Sequence, residues 1–150
     1  MAITSSVANF SSFRTDSPAV LMSQTGAASL DELRLAVRHG LPFTSLEALA
    51  AQLELPLQRL ATLLGVPPRT GARRKQAQQL TPQESDRLYR IARTLAQAVE
   101  VLGSLAQARV WLKSANRALG GEVPLDLLDT EIGARQVDEI LIRLNFGLFS

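Results

Sequence analysis

Apolar residues recur three and four positions apart along most of this chain, and each run is bounded by a capping residue, a glycine or a proline. Leu30, Leu33 and Val37 follow Ser29 and are closed off by Gly40 and Pro42, which predicts a helix over 29–39. Leu46, Leu49, Ala50 and Leu53 form the next stripe, with Thr44 or Ser45 as its cap, Glu47 in its first turn and an end near Glu54, ahead of Pro56. From Pro56 the stripe resumes as Leu57, Leu60, Ala61 and Leu64, and it stops at Gly65, where the chain can turn with positive φ. After Val66 and Pro67 a short helix is expected from Pro68 or Arg69 to about Gln78, presenting Arg69, Thr70, Arg73, Arg74 and Gln76 on its exposed side.

Thr81-Pro82-Gln83-Glu84 is a capping box with proline at the first helical position. It opens a long helix whose apolar face is Leu88, Ile91, Ala92, Leu95, Val99 and Leu102, as far as Gly103, with Arg87, Arg90 and Arg93 elsewhere on its surface. Ser104 caps a helix through Trp111 and Leu112, with Trp111 expected in the core. Residues 116–121 turn on two adjacent glycines, residues 124–128 suit one or two helical turns, and Thr130 caps a last helix bearing Val137, Ile140, Leu141 and Leu144 before Gly147. No alternating pattern of convincing length exists, so the fold class is all-α. Residues 1–28 carry no sustained apolar period and read as a flexible N-terminal arm.

Composition narrows the chemistry more than it does the fold. With 150 residues, 46% of them hydrophobic and 20% charged, the chain is expected to fold as one or two compact units. There is no cysteine and one histidine, which excludes thiol nucleophiles, disulfides, Cys/His zinc sites and a catalytic histidine pair. His39 stands at a helix end beside Gly40, where an imidazolium suits the helix dipole better than it suits a serine-activating role. Glu122, Asp126, Asp129 and Glu131 lack the spacing of a calcium loop and read as a solvated or partner-facing surface. No catalytic group, metal or cofactor is expected, so the chain binds rather than catalyses. No apolar run reaches the roughly 18 residues of a membrane span, and 1–13 lacks the pattern of a secretory leader, so a cytoplasmic location is expected.

Net charge is only +2, but it is concentrated: residues 59–93 hold eight basic side chains and two acidic ones, between two mildly acidic flanks. Within that segment Ala61 and Gly65 sit four apart in an apolar frame of Leu57, Leu60, Leu64 and Val66. A helix-turn-helix needs this arrangement, a small residue for close helix crossing and a glycine for the turn. The helix that follows can enter the major groove with Arg69, Thr70, Arg73 and Arg74, where arginine reads guanine edges. Gly71 stands where an apolar residue would anchor that helix better.

The run from Ala108 to Thr130, with Trp111-Leu112, Asn116, Leu119-Gly120-Gly121, Pro124, Leu127-Leu128 and Thr130 in order, continuing through Gly133, Val137, Leu141, Arg143 and Gly147, resembles the toxin-binding C-terminal domain of the Xre/MbcA/ParS antitoxins. Arg69-Thr70, Arg73-Arg74-Lys75, Leu80-Thr81, Glu84-Ser85 and Asp86-Arg87-Leu88 are similar to the Xre-type helix-turn-helix half of the same family. Gly71, where a leucine is common, and Ala115, where a proline often stands, depart from the pattern. The resemblance implies an Xre-like DNA-binding domain over 29–102 and a toxin-binding domain over 103–150. It further implies a type II antitoxin that neutralises a RES-domain, NAD+-depleting toxin and represses its own operon, acting as a homodimer and in larger complexes with toxin. Operator DNA would be met by Arg69, Thr70, Arg73, Arg74, Lys75 and Gln76.

The residues support a protein partner independently, because Ile140, Leu141, Leu144, Phe146, Leu148 and Phe149 are more apolar side chains than a final helix needs for its own packing. Arg143, Phe146, Gly147, Leu148, Phe149 and Ser150 are therefore the candidate toxin contacts, with the end of the chain entering a nucleotide pocket. Two other readings stand beside this one. They are a stand-alone helix-turn-helix regulator with a protein- or ligand-sensing C-terminal half, and a helical adaptor in which Arg73, Arg74 and Lys75 meet an acidic protein.

Overall fold

The structure is a computed structural model that describes residues 19–67, 73 and 75–147. Four hydroxyl side chains set the helix starts: Ser29, Thr81, Ser104 and Thr130 each accept a hydrogen bond from the backbone N–H three residues on. At Thr81 the box closes from both sides, since the Glu84 carboxylate accepts from the Thr81 N–H at 2.9 Å. The helices that result are α1 (Ala19–Thr25), α2 (Leu30–His39), α3 (Phe43–Leu53), α4 (Leu57–Leu63), α5 (Pro82–Leu102), α6 (Leu105–Leu112) and α7 (Glu131–Asn145). Short 3-10 turns at Arg117–Leu119 and Pro124–Asp129 connect α6 to α7. No strand occurs among the described residues; a single antiparallel bridge joins Pro42 to Gln79.

α5 is the axis of the molecule. It packs against α1, α2, α6, α7 and the Pro124–Asp129 turn, and its Leu88, Ile91, Ala92, Leu95 and Ala98 are buried. One apolar cluster runs from Leu21 through Leu33, Leu46, Leu60 and Leu64 to Leu112, Leu128, Val137 and Leu141, so the two halves share a core along α5.

Three expectations are corrected. The arm does not extend to residue 28: Ala19–Thr25 is helical and packs against α3, with Leu21 completely buried. α3 starts ahead of Thr44 and Ser45, at Phe43. The side chain of Phe43 is buried and its N–H donates to the Gln78 carbonyl, which draws the first turn into the core. Trp111 packs against the edge of the core but is only partly buried, because Ala108 and Leu112 occupy the inward positions of that turn.

Ion pairs tie α5 to α7. Arg93 meets Asp138 at 3.2 Å, with Thr94 also donating to that carboxylate, and Arg90 meets Glu131 at 3.2 Å. Burial pushes the Asp138 carboxyl above its ordinary value of 3.8, and outweighs the opposing pull of Arg93 and Thr94. The folded chain then keeps this proton at a pH where the unfolded chain has released it. Asp138 therefore favours folding most below the ordinary aspartate value, and less as pH rises through the raised one. In thermal melts from about pH 3 to about pH 6, the wild type is expected to lose stability relative to Asp138→Asn as pH rises. The opposite slope would mean that the Arg93 pair outweighs burial.

Candidate functional site

The turn after α4 is built as the apolar frame requires. Leu60, Leu64 and Val66 are buried, Ala61 packs against the core, and Gly65 takes φ +78°. The Val66 N–H donates to Ala61 and the Gly65 N–H to Thr62, a paired pattern that closes the helix end. The Leu64 carbonyl, left over by that closure, accepts from Arg87 Nη1 of α5 at 2.8 Å. The positive φ favours glycine here, and a Cβ at residue 65 would displace the Arg87 guanidinium from the Leu64 carbonyl.

Beyond the turn, Arg73 and residues 75–77 are helical, and Arg73, Lys75 and Gln76 are exposed. Arg69, Thr70 and Arg74 lie outside the described residues, as does Gly71. The segment ends at Gln78, which has positive φ, and is stitched back to the molecule by two hydrogen bonds, Phe43 N–H to Gln78 and Leu80 N–H to Leu41. Ser85 Oγ, buried, holds the same loop by accepting from the Leu41 N–H at 2.7 Å. The turn after α4 is thus held by Arg87, and the end of the segment by this bridge.

Much of the positive charge of residues 59–93 is already engaged within the molecule. Arg59 pairs with Asp126 at 3.4 Å, Arg90 with Glu131, Arg93 with Asp138, and Arg87 is committed to the Leu64 carbonyl. Arg73 and Lys75 are exposed, and neither is ion-paired to another described residue. Two of the four acidic residues singled out in the sequence, Asp126 and Glu131, serve as partners for these arginines. His39 is exposed at the end of α2, where its carbonyl accepts from Gln79 Nε2.

The second surface lies on α7. Val137, Ile140 and Leu141 face the core, while Ile132 (76% exposed), Ile142 (48%) and Phe146 (71%) face solvent. With Arg135 and Glu139 between them, these positions make one stripe at helical spacing down the outer side. Beside it, a 440 Å³ cavity is walled by Leu119, Glu122, Leu127, Gln136, Glu139 and Arg143. Arg143, Phe146 and Gly147 therefore sit together at the exposed end of α7, whereas Leu148, Phe149 and Ser150 lie outside the described residues. Ile132 and Ile142 had escaped the sequence reading, although both fall off the buried face of Val137, Ile140, Leu141 and Leu144 by periodicity. Arg109 of α6 and Lys113 just after it reach across to the end of α3: Arg109 donates to the Gln52 carbonyl and pairs with Glu54 at 3.3 Å, and Lys113 donates to the Glu54 carbonyl at 3.4 Å.

These elements define a helix-turn-helix protein with a second binding module carried on its last helix. An antitoxin Xre-like helix-turn-helix domain model matches residues 32–93, and the antitoxin Xre/MbcA/ParS C-terminal toxin-binding domain matches residues 97–147. The chain is 28% identical over 132 residues to an antitoxin Xre of Yersinia enterocolitica, covering 87% of this chain and 86% of that protein. An antitoxin Xre of Photorhabdus laumondii is 29% identical over 126 residues, 83% of this chain and 85% of its own length. One of Pseudomonas putida is 39% identical over 70 residues, 47% of this chain and 44% of its own. The chain belongs to the Xre-type antitoxins, proteins with a helix-turn-helix and a toxin-binding C-terminal domain, which are not enzymes. No helix among the described residues is long and apolar enough to cross a membrane.

Proposed function

We propose that this chain is the antitoxin of a type II pair whose toxin is a RES-domain protein that depletes NAD+. In this reading it acts in the cytoplasm, and residues 103–150 carry toxin binding. The outer face of α7 and the residues after it lie over the mouth of the toxin's active site, with Arg143, Phe146, Gly147, Leu148, Phe149 and Ser150 as contacts. The helix-turn-helix half, residues 29–102, represses the operon as a dimer through Arg69, Thr70, Arg73, Arg74, Lys75 and Gln76. The stripe of Ile132, Ile142 and Phe146 carries this reading: apolar side chains at helical spacing, left in solvent on a helix whose other face is already buried, fit a protein partner.

Co-expression with a RES-domain toxin encoded beside it tests it. The chain is expected to co-purify through a tag on the toxin and to restore both cellular NAD+ and growth; neither binding nor protection would leave a stand-alone regulator as the better account. For the DNA half, Arg73→Ala/Lys75→Ala is expected to weaken operator binding at every salt concentration. It should also reduce the slope of log affinity against log salt by about two, one unit for each phosphate-binding side chain removed. An unchanged slope would place the phosphate-binding residues elsewhere.

A further inference from the structure

Several arginines of this chain are committed to the protein itself: Arg34 pairs with Asp31, Arg109 with Glu54 and Arg135 with Glu131, besides the engaged arginines of residues 59–93. Arg38 is different. It stands in the last turn of α2, exposed, and is not ion-paired to another described residue, which is also true of Arg73 and Lys75. The acidic residues of the first turn of α2, Asp31 and Glu32, lie at the opposite end of that helix. Far apart in the chain, the elements that carry Arg38 and Lys75 are joined in the fold. Gln79 Nε2 donates to the His39 carbonyl at 2.9 Å and to the Gly40 carbonyl at 3.3 Å, and the Leu80 N–H donates to the Leu41 carbonyl at 2.9 Å. Lys75 is one turn ahead of Gln79, its carbonyl accepting from the Gln78 N–H at 3.2 Å. The end of α2 therefore abuts the end of the basic segment.

The same hydrogen bonds answer an electrostatic objection. The C-terminal end of a helix carries unpaired carbonyls and partial negative charge, which repel a phosphate. Here the Gly40 N–H occupies the Ala36 and Val37 carbonyls, and the Gln79 amide occupies those of His39 and Gly40. With these carbonyls satisfied, this end of α2 shows solvent the guanidinium of Arg38, beside the exposed His39. We infer that Arg38 is a phosphate contact on a second element, binding the backbone of the same DNA duplex that the segment of Arg73 and Lys75 meets. A guanidinium can hold a phosphate through two hydrogen bonds at once. Phosphate contacts position a protein on the duplex while base contacts specify sequence, so cations on two elements fixed to each other by Gln79 set the angle at which the segment lies on the groove. The inference rests on the DNA-binding half of the proposed function and adds to it a contact outside the recognition segment.

Binding of the full chain, without toxin, to a fluorescent duplex of about 30 mixed-sequence base pairs at several salt concentrations tests the contact, because phosphate binding is independent of sequence. Arg38→Gln is expected to lower the slope of log affinity against log salt by about one, and to weaken binding by about 5-fold to 10-fold near 0.1 M salt. Arg38→Lys should keep the wild-type slope, since counterion release follows charge. Arg117→Gln removes one exposed charge from the other half of the chain, on the Arg117–Leu119 turn, and should leave the slope unchanged. Circular dichroism should show all three variants folded, and Arg38→Ala supplies a second removal if Arg38→Gln alters helix content. An Arg38→Gln chain with the wild-type slope overturns the contact. So does an equal loss in Arg117→Gln, which would reduce the effect to net charge, or an equal loss in Arg38→Lys. An Arg38→Gln chain that binds DNA normally but captures less toxin also overturns it, giving Arg38 to the toxin. A wild-type chain that does not bind the duplex overturns the contact together with the DNA half of the proposed function. If Arg38→Gln lowers the slope and Arg73→Ala/Lys75→Ala does not, the contact stands and the proposed recognition segment falls.

Discussion

Truncating Ile142 and Phe146 together to alanine is expected to lower toxin affinity by about 100-fold or more while leaving the fold intact. Both side chains are solvent-exposed in the free chain, so the antitoxin's own core loses nothing when they are shortened. Their burial against the toxin is worth on the order of 2 kcal/mol each if the contact is dry, and central aromatic anchors dominate interfaces of this kind. Ile142 and Phe146 are four residues apart on one side of α7, so a single partner surface covers both. The measurement is a titration of toxin with each chain, alongside circular dichroism and sedimentation of the variant. Unchanged affinity in a well-folded, normally associating variant would remove α7 from the toxin interface. Deleting residues 147–150 then separates the helix from the end of the chain: a loss much smaller than that of the double variant would assign the anchoring to α7.

Gly133→Ala is expected to destabilise the protein by about 3 kcal/mol, lowering its melting temperature and weakening toxin capture. Helix propensity alone predicts the reverse, because alanine is about 1 kcal/mol better than glycine inside a helix. At this position packing decides. The first turn of α7 lies directly on the Pro124–Asp129 turn, and a Cβ on Gly133 would fall 1.9 Å from the Leu127 carbonyl oxygen, a backbone atom that cannot swing aside. Making room means separating α7 from the turn that carries Leu125 and Leu128, both completely buried. It also endangers the cap, since the Gly133 N–H is the one that Thr130 Oγ1 accepts at 3.0 Å. Chemical denaturation of the two proteins checks the sign: a more stable Gly133→Ala chain would mean that this contact relaxes without cost.

The features that short-range chemistry controls were legible in the chain. Ser29, Thr81, Ser104 and Thr130 could be read as caps because a hydroxyl ahead of an apolar period has one nearby use, to accept an orphan N–H three residues on. The turn at Gly65 was readable for the same reason. Even α1 left a trace: Ala19, Val20, Leu21 and Met22 follow Pro18, but a seven-residue helix is too short for periodicity to separate it from an arm. For the candidate sites, the end of α7 and the basic helix-turn-helix were both visible, one as a surplus of apolar side chains and the other as a concentration of arginine.

Periodicity along one helix tells which residues share a face, and local capping tells where the helix begins, so the amino-acid sequence by itself determined an all-α chain, most of its helix boundaries and the small-residue turn of its helix-turn-helix. Only the tertiary structure decided which of those faces remained in water and where each long charged side chain would reach. Arg59, Arg87, Arg90 and Arg93 count as DNA-facing charge in a linear tally, yet they meet Asp126, the Leu64 carbonyl, Glu131 and Asp138, residues 23 to 67 positions away in the chain. Trp111 looked like core until Ala108 and Leu112 took the inward positions, and Ile132 and Ile142 became a surface only because Val137, Ile140 and Leu141 had already filled the seam with α5. Side-chain reach and packing are set by distances through space, which the order of residues along a chain does not encode one element at a time.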